Sequence, residues 1–174
     1  MSHSLASEVN GLGHMLNRIS ETSRSYRDFT LNALTTAVRD AIASFPVYRT
    51  YLVHGEEADS EEVRVIERAI SAARRRNPAL ERTVFEFLRE VLLPTNQGSH
   101  PVDEKMRLAF VMKYQQCTGP ITAKGVEDTA FYTFNRLVAL NEVGSEPSNF
   151  GATIETFHKQ NRETPNGKGS LIAL

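Results

Sequence analysis

Apolar residues recur along most of this chain at steps of three and four, with polar residues between them. Leu5, Val9, Leu12, Leu16 and Ile19 form one such stripe, which predicts a helix from about Ser4 to Glu21. Gly11 and Gly13 weaken it, each by roughly 1 kcal/mol against alanine, so packing must hold its middle. Leu31, Leu34, Val38, Ala41, Ile42 and Phe45 predict a second helix, capped by Asp28 or Thr30 and ended by Pro46. Asp59 and Glu62 have the spacing of a capping box. They open a third helix with Val63, Ile66, Ile70 and Ala73 inward and Glu61, Arg64, Glu67, Arg68 and Arg74 outward. Asn77-Pro78 breaks that helix and places Pro78 to open a fourth, which carries Leu80, Val84, Phe87, Leu88, Val91 and Leu92.

A fifth helix, about Val102 to Cys117, has Met106, Leu108, Phe110, Val111, Met112 and Tyr114 on more than one side. It is expected to be the most buried. A last helix lies around Ile154, Phe157 and His158. Val47–Val53 is rich in β-branched and aromatic residues, and Leu137–Val143 opens on a short apolar run; these are the two strand candidates. The fold class is therefore mainly α with at most two short strands. Pro94 to Pro101 reads as a loop and divides the chain. On that division, residues 1–93 form a helical bundle with a strand near 47–53. Residues 94–174 carry the buried helix, a polar motif and the C-terminal helix.

Composition narrows the function classes. The 174 residues are 40% hydrophobic and 24% charged, as in globular rather than disordered chains. A net charge of -1 argues against a general nucleic-acid binder, which needs a basic surplus. Arg74-Arg75-Arg76 is the one concentrated positive run, and it falls at a helix end where cations offset the macrodipole. A single cysteine, Cys117, excludes an internal disulfide; it points to a reducing, cytoplasmic setting and to a buried structural thiol. No apolar run is long enough to span a membrane, so no membrane partner is expected. The five histidines show no zinc spacing, and neither metal nor cofactor is expected.

The candidate chemistry sits in Thr118 to Gly144. Here Lys124, Glu127, Asp128, Asn135, Arg136, Asn141 and Glu142 are interleaved with Phe131, Tyr132 and Phe134. Aromatic faces stack on pyranose rings, while carboxylates, amides and ammonium groups take hydroxyl hydrogen bonds, so the mixture suits a sugar site. The plainer reading is a short capped helix with a solvated face and core aromatics. On a helix starting near Val126, Phe131 and Tyr132 point about 100° apart. Phe134 is then expected in the core and Phe131 or Tyr132 toward the sugar. Glu127 and Asp128 diverge by the same angle, whereas retaining glycosyl transfer needs two carboxyl groups about 5–5.5 Å apart. Glu142 could supply one carboxylate, but nothing places a partner opposite it. No residue is therefore assigned as catalytic.

The wording of the motif adds to this. Thr118-Gly119-Pro120, Ala123-Lys124-Gly125, Glu127-Asp128-Thr129-Ala130-Phe131-Tyr132 and Asn135 to Gly144 closely resemble the maltooligosyl trehalose synthases, which belong to the α-amylase-like glycoside hydrolases. So do Leu5 to Asn10, Arg27 to Asn32 and Phe45-Pro46-Val47-Tyr48-Arg49-Thr50-Tyr51, in the same order. The resemblance implies a helical insertion in a (β/α)8-barrel enzyme. That enzyme would convert the reducing-end α-1,4 bond of a maltooligosaccharide to an α,α-1,1 bond, without a cofactor. It further implies that the chain is an internal piece. Two catalytic acids would lie upstream, and a third in a Ser-Thr-His-Asp-Thr-Lys segment expected to begin where Ser170 to Leu174 stands. Lys124, Glu127, Asp128, Phe131 and Tyr132 would then wall the glucose pocket. Detached strand edges would invite a homodimer. The competing class is a stand-alone helical module that docks a partner protein through its apolar stripes.

Overall fold

The computed structural model of the chain describes residues 3–53, 57–93, 103–134, 141 and 151–162. Among these, seven α-helices and one π-helical turn form, and no strand does. They are α1 (His3–Glu21), α2 (Leu31–Ile42), α3 (Ser60–Arg76), α4 (Arg82–Leu92), α5 (Glu104–Gly125), the π-helical turn Val126–Ala130, α6 (Phe131–Thr133) and α7 (Ile154–Arg162). The fold is mainly helical, as the periodicity requires.

Local chemistry explains where these helices start. The Thr30 hydroxyl accepts from the Ala33 amide at 3.2 Å, so Thr30 rather than Asp28 caps α2. Asp59 accepts from the Glu62 amide at 2.7 Å, and Glu62 reaches back to the Asp59 amide at 3.3 Å, completing the capping box of α3. Asp103 caps α5 through the Met106 amide at 2.9 Å. The α4 expectation needs correction. Pro78 does not open that helix: Leu80 donates back to the Asn77 carbonyl in a turn, and α4 begins only at Arg82.

Two further expectations change in α5. It does not end at Cys117 but continues to Gly125 with Pro120 inside it. Proline lacks the N–H that the Gln116 carbonyl would accept. Pro120 itself is exposed, while Thr118 and Ile121 on either side are buried and hold the helix across the missing bond. Nor is α5 buried all round. Arg107, Phe110, Val111, Tyr114, Cys117, Thr118 and Ile121 face inward as one stripe, whereas Met112 is exposed and Leu108 only half-buried.

The chain divides into two units, Met1–Thr129 and Ala130–Leu174. In the first, α2 packs against α1, α3, α4 and α5, while α1 and α4 also pack against α5. Thus α5, which lies beyond the loop expected to separate 1–93 from 94–174, shares the core of α1–α4. Leu12, Leu16, Leu34, Val38, Ile66, Phe85, Phe87, Leu88, Phe110 and Tyr114 are fully buried there. Each such side chain contributes on the order of 1.5–3 kcal/mol of apolar burial. Gly13 lets α1 and α2 meet closely, since a β-carbon there would lie 2.1 Å from the Thr35 hydroxyl. Cys117 is buried beside the Glu8–Lys113 ion pair, and burial pushes its thiol pKa up. No described helix is long and apolar enough to cross a membrane.

Val47–Val53 is not a strand: Val47 and Tyr48 lie in a bend, and residues 49–53 have no regular secondary structure. With no neighbouring strand beside it, its backbone groups are taken by side chains instead. The buried Gln115 amide accepts from the Leu52 N–H at 2.6 Å and donates to the Leu52 carbonyl at 3.1 Å. The Tyr51 N–H goes to Glu62 at 2.8 Å. Leu137–Val143, the other strand candidate, lies outside the described residues except for Asn141.

In the second unit, Asn141 donates to the Phe131 and Phe134 carbonyls at 2.6 and 2.7 Å and so ties down the end of α6. Thr153 accepts from the Thr156 amide at the start of α7, whose Ile154 and Phe157 are exposed.

Candidate functional site

The motif occupies the end of α5 and the π-helical turn that follows. A π turn closes on the fifth residue rather than the fourth and so admits one extra residue into the helix. Here the Thr129 hydroxyl donates to the Lys124 carbonyl, five positions back, at 2.9 Å. Gly125, with open space where a β-carbon would be, lies at the junction. None of Val126–Ala130 is buried, so the turn is shaped by its own polar contacts more than by the core.

Its charged side chains divide between two directions. Lys124 and Asp128, four residues apart, form an ion pair. Both line a half-open cleft of about 690 Å³, walled by Leu5, Ile42, Phe45, Ile121 and Val126, with Thr122 and Thr129 adding hydroxyls. That volume lies within the range of small-ligand sites, and apolar walls with a few convergent polar groups are their usual make-up. Glu127 is not on the cleft. Its carboxylate accepts from the Tyr48 hydroxyl at 2.6 Å, a contact that spans 79 residues of sequence. This bond raises the Tyr48 pKa, because losing the proton would set two negative charges together.

Chemically, the cleft offers an ammonium donor beside a carboxylate acceptor, which matches neighbouring hydroxyls on a sugar ring. The Lys124–Asp128 pair is solvent-exposed, and such pairs contribute only about 0–1 kcal/mol, so a ligand can exchange it for its own hydrogen bonds. The two adjacent carboxylates are engaged separately, Glu127 with Tyr48 and Asp128 with Lys124, and do not face each other across a reacting atom. Among the described residues, no group of three or more His, Cys, Asp or Glu gathers as a metal site would require.

The other candidates are spread more widely. Phe131 is 9% exposed, Tyr132 79% and Phe134 39%. Phe134, expected in the core, is exposed, and Phe131 is the buried ring of the three. Phe134 lies outside the helix, because α6 ends at Thr133 and the Phe134 backbone is extended, so helical spacing does not place its ring. Asn141 holds backbone carbonyls of its own unit. Asn135, Arg136 and Glu142 lie outside the described residues.

Residue-by-residue reasoning missed Leu5, Phe45, Tyr48 and Gln115. A signal for three of them was present, because Leu5 and the Phe45–Tyr51 stretch belong to the segments that carry the family resemblance. The cleft joins Leu5, Phe45 and the Lys124–Thr129 turn, so three separated stretches of that resemblance converge on one surface.

Comparison with known proteins gives a local match. Two proteins of Mycobacterium tuberculosis, from strains CDC 1551 / Oshkosh and ATCC 25618 / H37Rv, are each 51% identical to this chain over 47 residues. Both carry the provisional name maltooligosyl trehalose synthase. The match covers 27% of this chain and 6% of each relative's length. No family model matches the chain, and no solved structure does.

Proposed function

We propose that this chain forms one wall of the sugar site of a maltooligosyl trehalose synthase, an isomerase of the α-amylase-like family acting in trehalose biosynthesis. The observation that carries this reading is the convergence of Leu5, Phe45, Lys124 and Asp128 on one cleft, drawn from three stretches that resemble that enzyme. The partial match to the two mycobacterial proteins supports it independently of the fold. The helical elements described here would be an insertion on the enzyme's barrel.

The parent reaction moves the terminal glucose of a maltooligosaccharide from an α-1,4 to an α,α-1,1 linkage. After the first bond breaks, the free glucose must be kept from diffusing away and turned until its anomeric hydroxyl attacks. That demands an enclosed surface that grips hydroxyls and excludes water. Lys124 donates and Asp128 accepts, while Phe45 and Ile121 provide the apolar side of the grip. Glu127 and Asp128 hold substrate or its surroundings and do not act as nucleophile and acid. A stand-alone docking module is the other reading; a motif that lines a concavity favours the sugar site.

The isolated chain is expected to bind maltooligosaccharide weakly, with a Kd of millimolar order, because a single wall leaves much of the ligand in water. It is expected to form no trehalosyl product. Incubation of the purified chain with maltopentaose should leave the reducing ends unchanged. A steady loss of reducing ends, abolished by Asp128→Asn or Glu127→Gln, would overturn this assignment of roles.

A further inference from the structure

We infer that Tyr48 is a positioning residue: by hydrogen-bonding Glu127 it fixes the angle at which the π-helical turn presents Lys124 and Asp128 to the cleft. The inference deepens the sugar-site reading and rests on it for its functional half. Its structural half stands on contacts within the first unit.

Val126–Ala130 has no buried residue, so little apolar packing holds the rotation of this turn. A π turn with glycine before it is deformable about its axis. Side-chain contacts add to the restraint that the helix backbone supplies. Lys124 with Asp128 and Thr129 with Lys124 are internal to the segment and would rotate with it. The Tyr48–Glu127 bond is different because it ties the turn to another part of the chain.

Tyr48 can serve as an anchor only if its own segment is fixed, and it is. Residues 48–52 form a strap that meets α5 at both ends, Tyr48 beside Gly119 and Leu52 at Gln115. The strap is held at Leu52 by the two hydrogen bonds of the buried Gln115 amide and at Tyr51 by Glu62. A β-carbon at Gly119 would come within 3.9 Å of the Tyr48 carbonyl, so the strap also passes close to α5 there. Gln115 and Glu127 lie twelve positions apart, at the two ends of this arrangement. The strap thus carries the rigidity of the bundle core to a turn that lacks a core of its own. Glu127 is in this account the receiver of the restraint rather than a ligand to sugar.

The test is a double-mutant cycle on the full chain with Tyr48→Phe, Glu127→Ala and the double variant, using maltotetraose as the probe. Amide shifts of Lys124–Thr129 report binding, and hydrogen exchange of the same amides reports order. If Tyr48 acts through Glu127, each single variant weakens maltotetraose binding by about threefold to tenfold, the range of one hydrogen bond, and the double variant loses no more than either. Exchange at Val126–Ala130 speeds up about tenfold in all three, while α1–α4 keep their protection. Two results would overturn the inference. One is Tyr48→Phe binding and exchanging like the unaltered chain. The other is additive losses, which would make Glu127 a direct ligand. Should the unaltered chain show no saturable binding, the sugar-site reading fails by itself. The exchange data then decide the positioning role: faster exchange in Tyr48→Phe upholds it, and unchanged exchange refutes it.

Discussion

Helix α3 and the segment Lys124–Thr133 are both charged and helical, yet they are built by different rules. In α3 every local preference agrees with the fold. Asp59 and Glu62 cap the start, Arg74–Arg76 fall in the last turn, and Val65, Ile66, Ala69, Ile70 and Ala73 form one buried stripe. The motif segment departs from those rules. It follows a helix containing a proline, inserts a π turn, and leaves an aromatic ring in water. Sequences that satisfy packing at every position specify structure, and departures concentrate where something other than packing is being served. The contrast is itself a reason to place function at the end of α5.

The contrast can be broken most strongly by truncating one ring on each side. Phe87→Ala removes a fully buried ring that packs against Tyr26 at 4.5 Å between centroids. It should cost about 3–5 kcal/mol in chemical denaturation. Tyr132→Ala should stay within about 0.5 kcal/mol of the parent chain, because that ring is 79% exposed. Equal losses would mean that the motif is part of the core after all.

The two glycines of α1 sharpen the same distinction on a smaller scale. Gly13→Ala drives a β-carbon into Thr35 and should destabilise by about 1–3 kcal/mol. Gly11 has nothing within 4 Å, and Gly11→Ala should stabilise by up to about 1 kcal/mol through helix propensity. Thermal unfolding of both variants checks the pair, with shifts of opposite sign expected.

Alkaline titration gives a smaller and graded effect. Burial first, then the hydrogen bond to Glu90 at 2.7 Å, raises the Tyr26 pKa to about 12. The folded state therefore keeps a phenol proton that the unfolded chain loses near its ordinary value of 10. This contribution is complete below pH 10 and is lost as the pH rises through the folded-state pKa. Tyr26→Phe should flatten that part of the stability profile, as measured by urea midpoints from about one pH unit below the onset to about two units above it.

Much of the bundle was legible because its signals are local. The Asp59–Glu62 box, the Thr30 cap and the stripe from Val9 to Ile19 each depend on residues three or four apart. What escaped depends on distant partners. Val47–Val53 has strand composition, but a strand needs a neighbour, and Gln115 takes the Leu52 backbone groups in its place. Pro120 normally ends a helix, but Thr118 and Ile121 are buried on either side of it. Phe134 escaped because the helix stops at Thr133, one residue before it, which spacing alone does not reveal. Of the candidates read from the sequence, Lys124 and Asp128 line the cleft. The division of Glu127 from Asp128, by contrast, is set by Tyr48, 79 residues away.

The most direct test of the central claim is a residue-resolved titration of the intact chain with maltotetraose, alongside Lys124→Met and Asp128→Asn. The account predicts saturable amide shifts confined to the cleft around Leu5, Phe45 and Lys124–Thr129, with millimolar affinity that each substitution weakens by about threefold or more. Shifts centred elsewhere on the bundle, or an affinity that neither substitution changes, would contradict it.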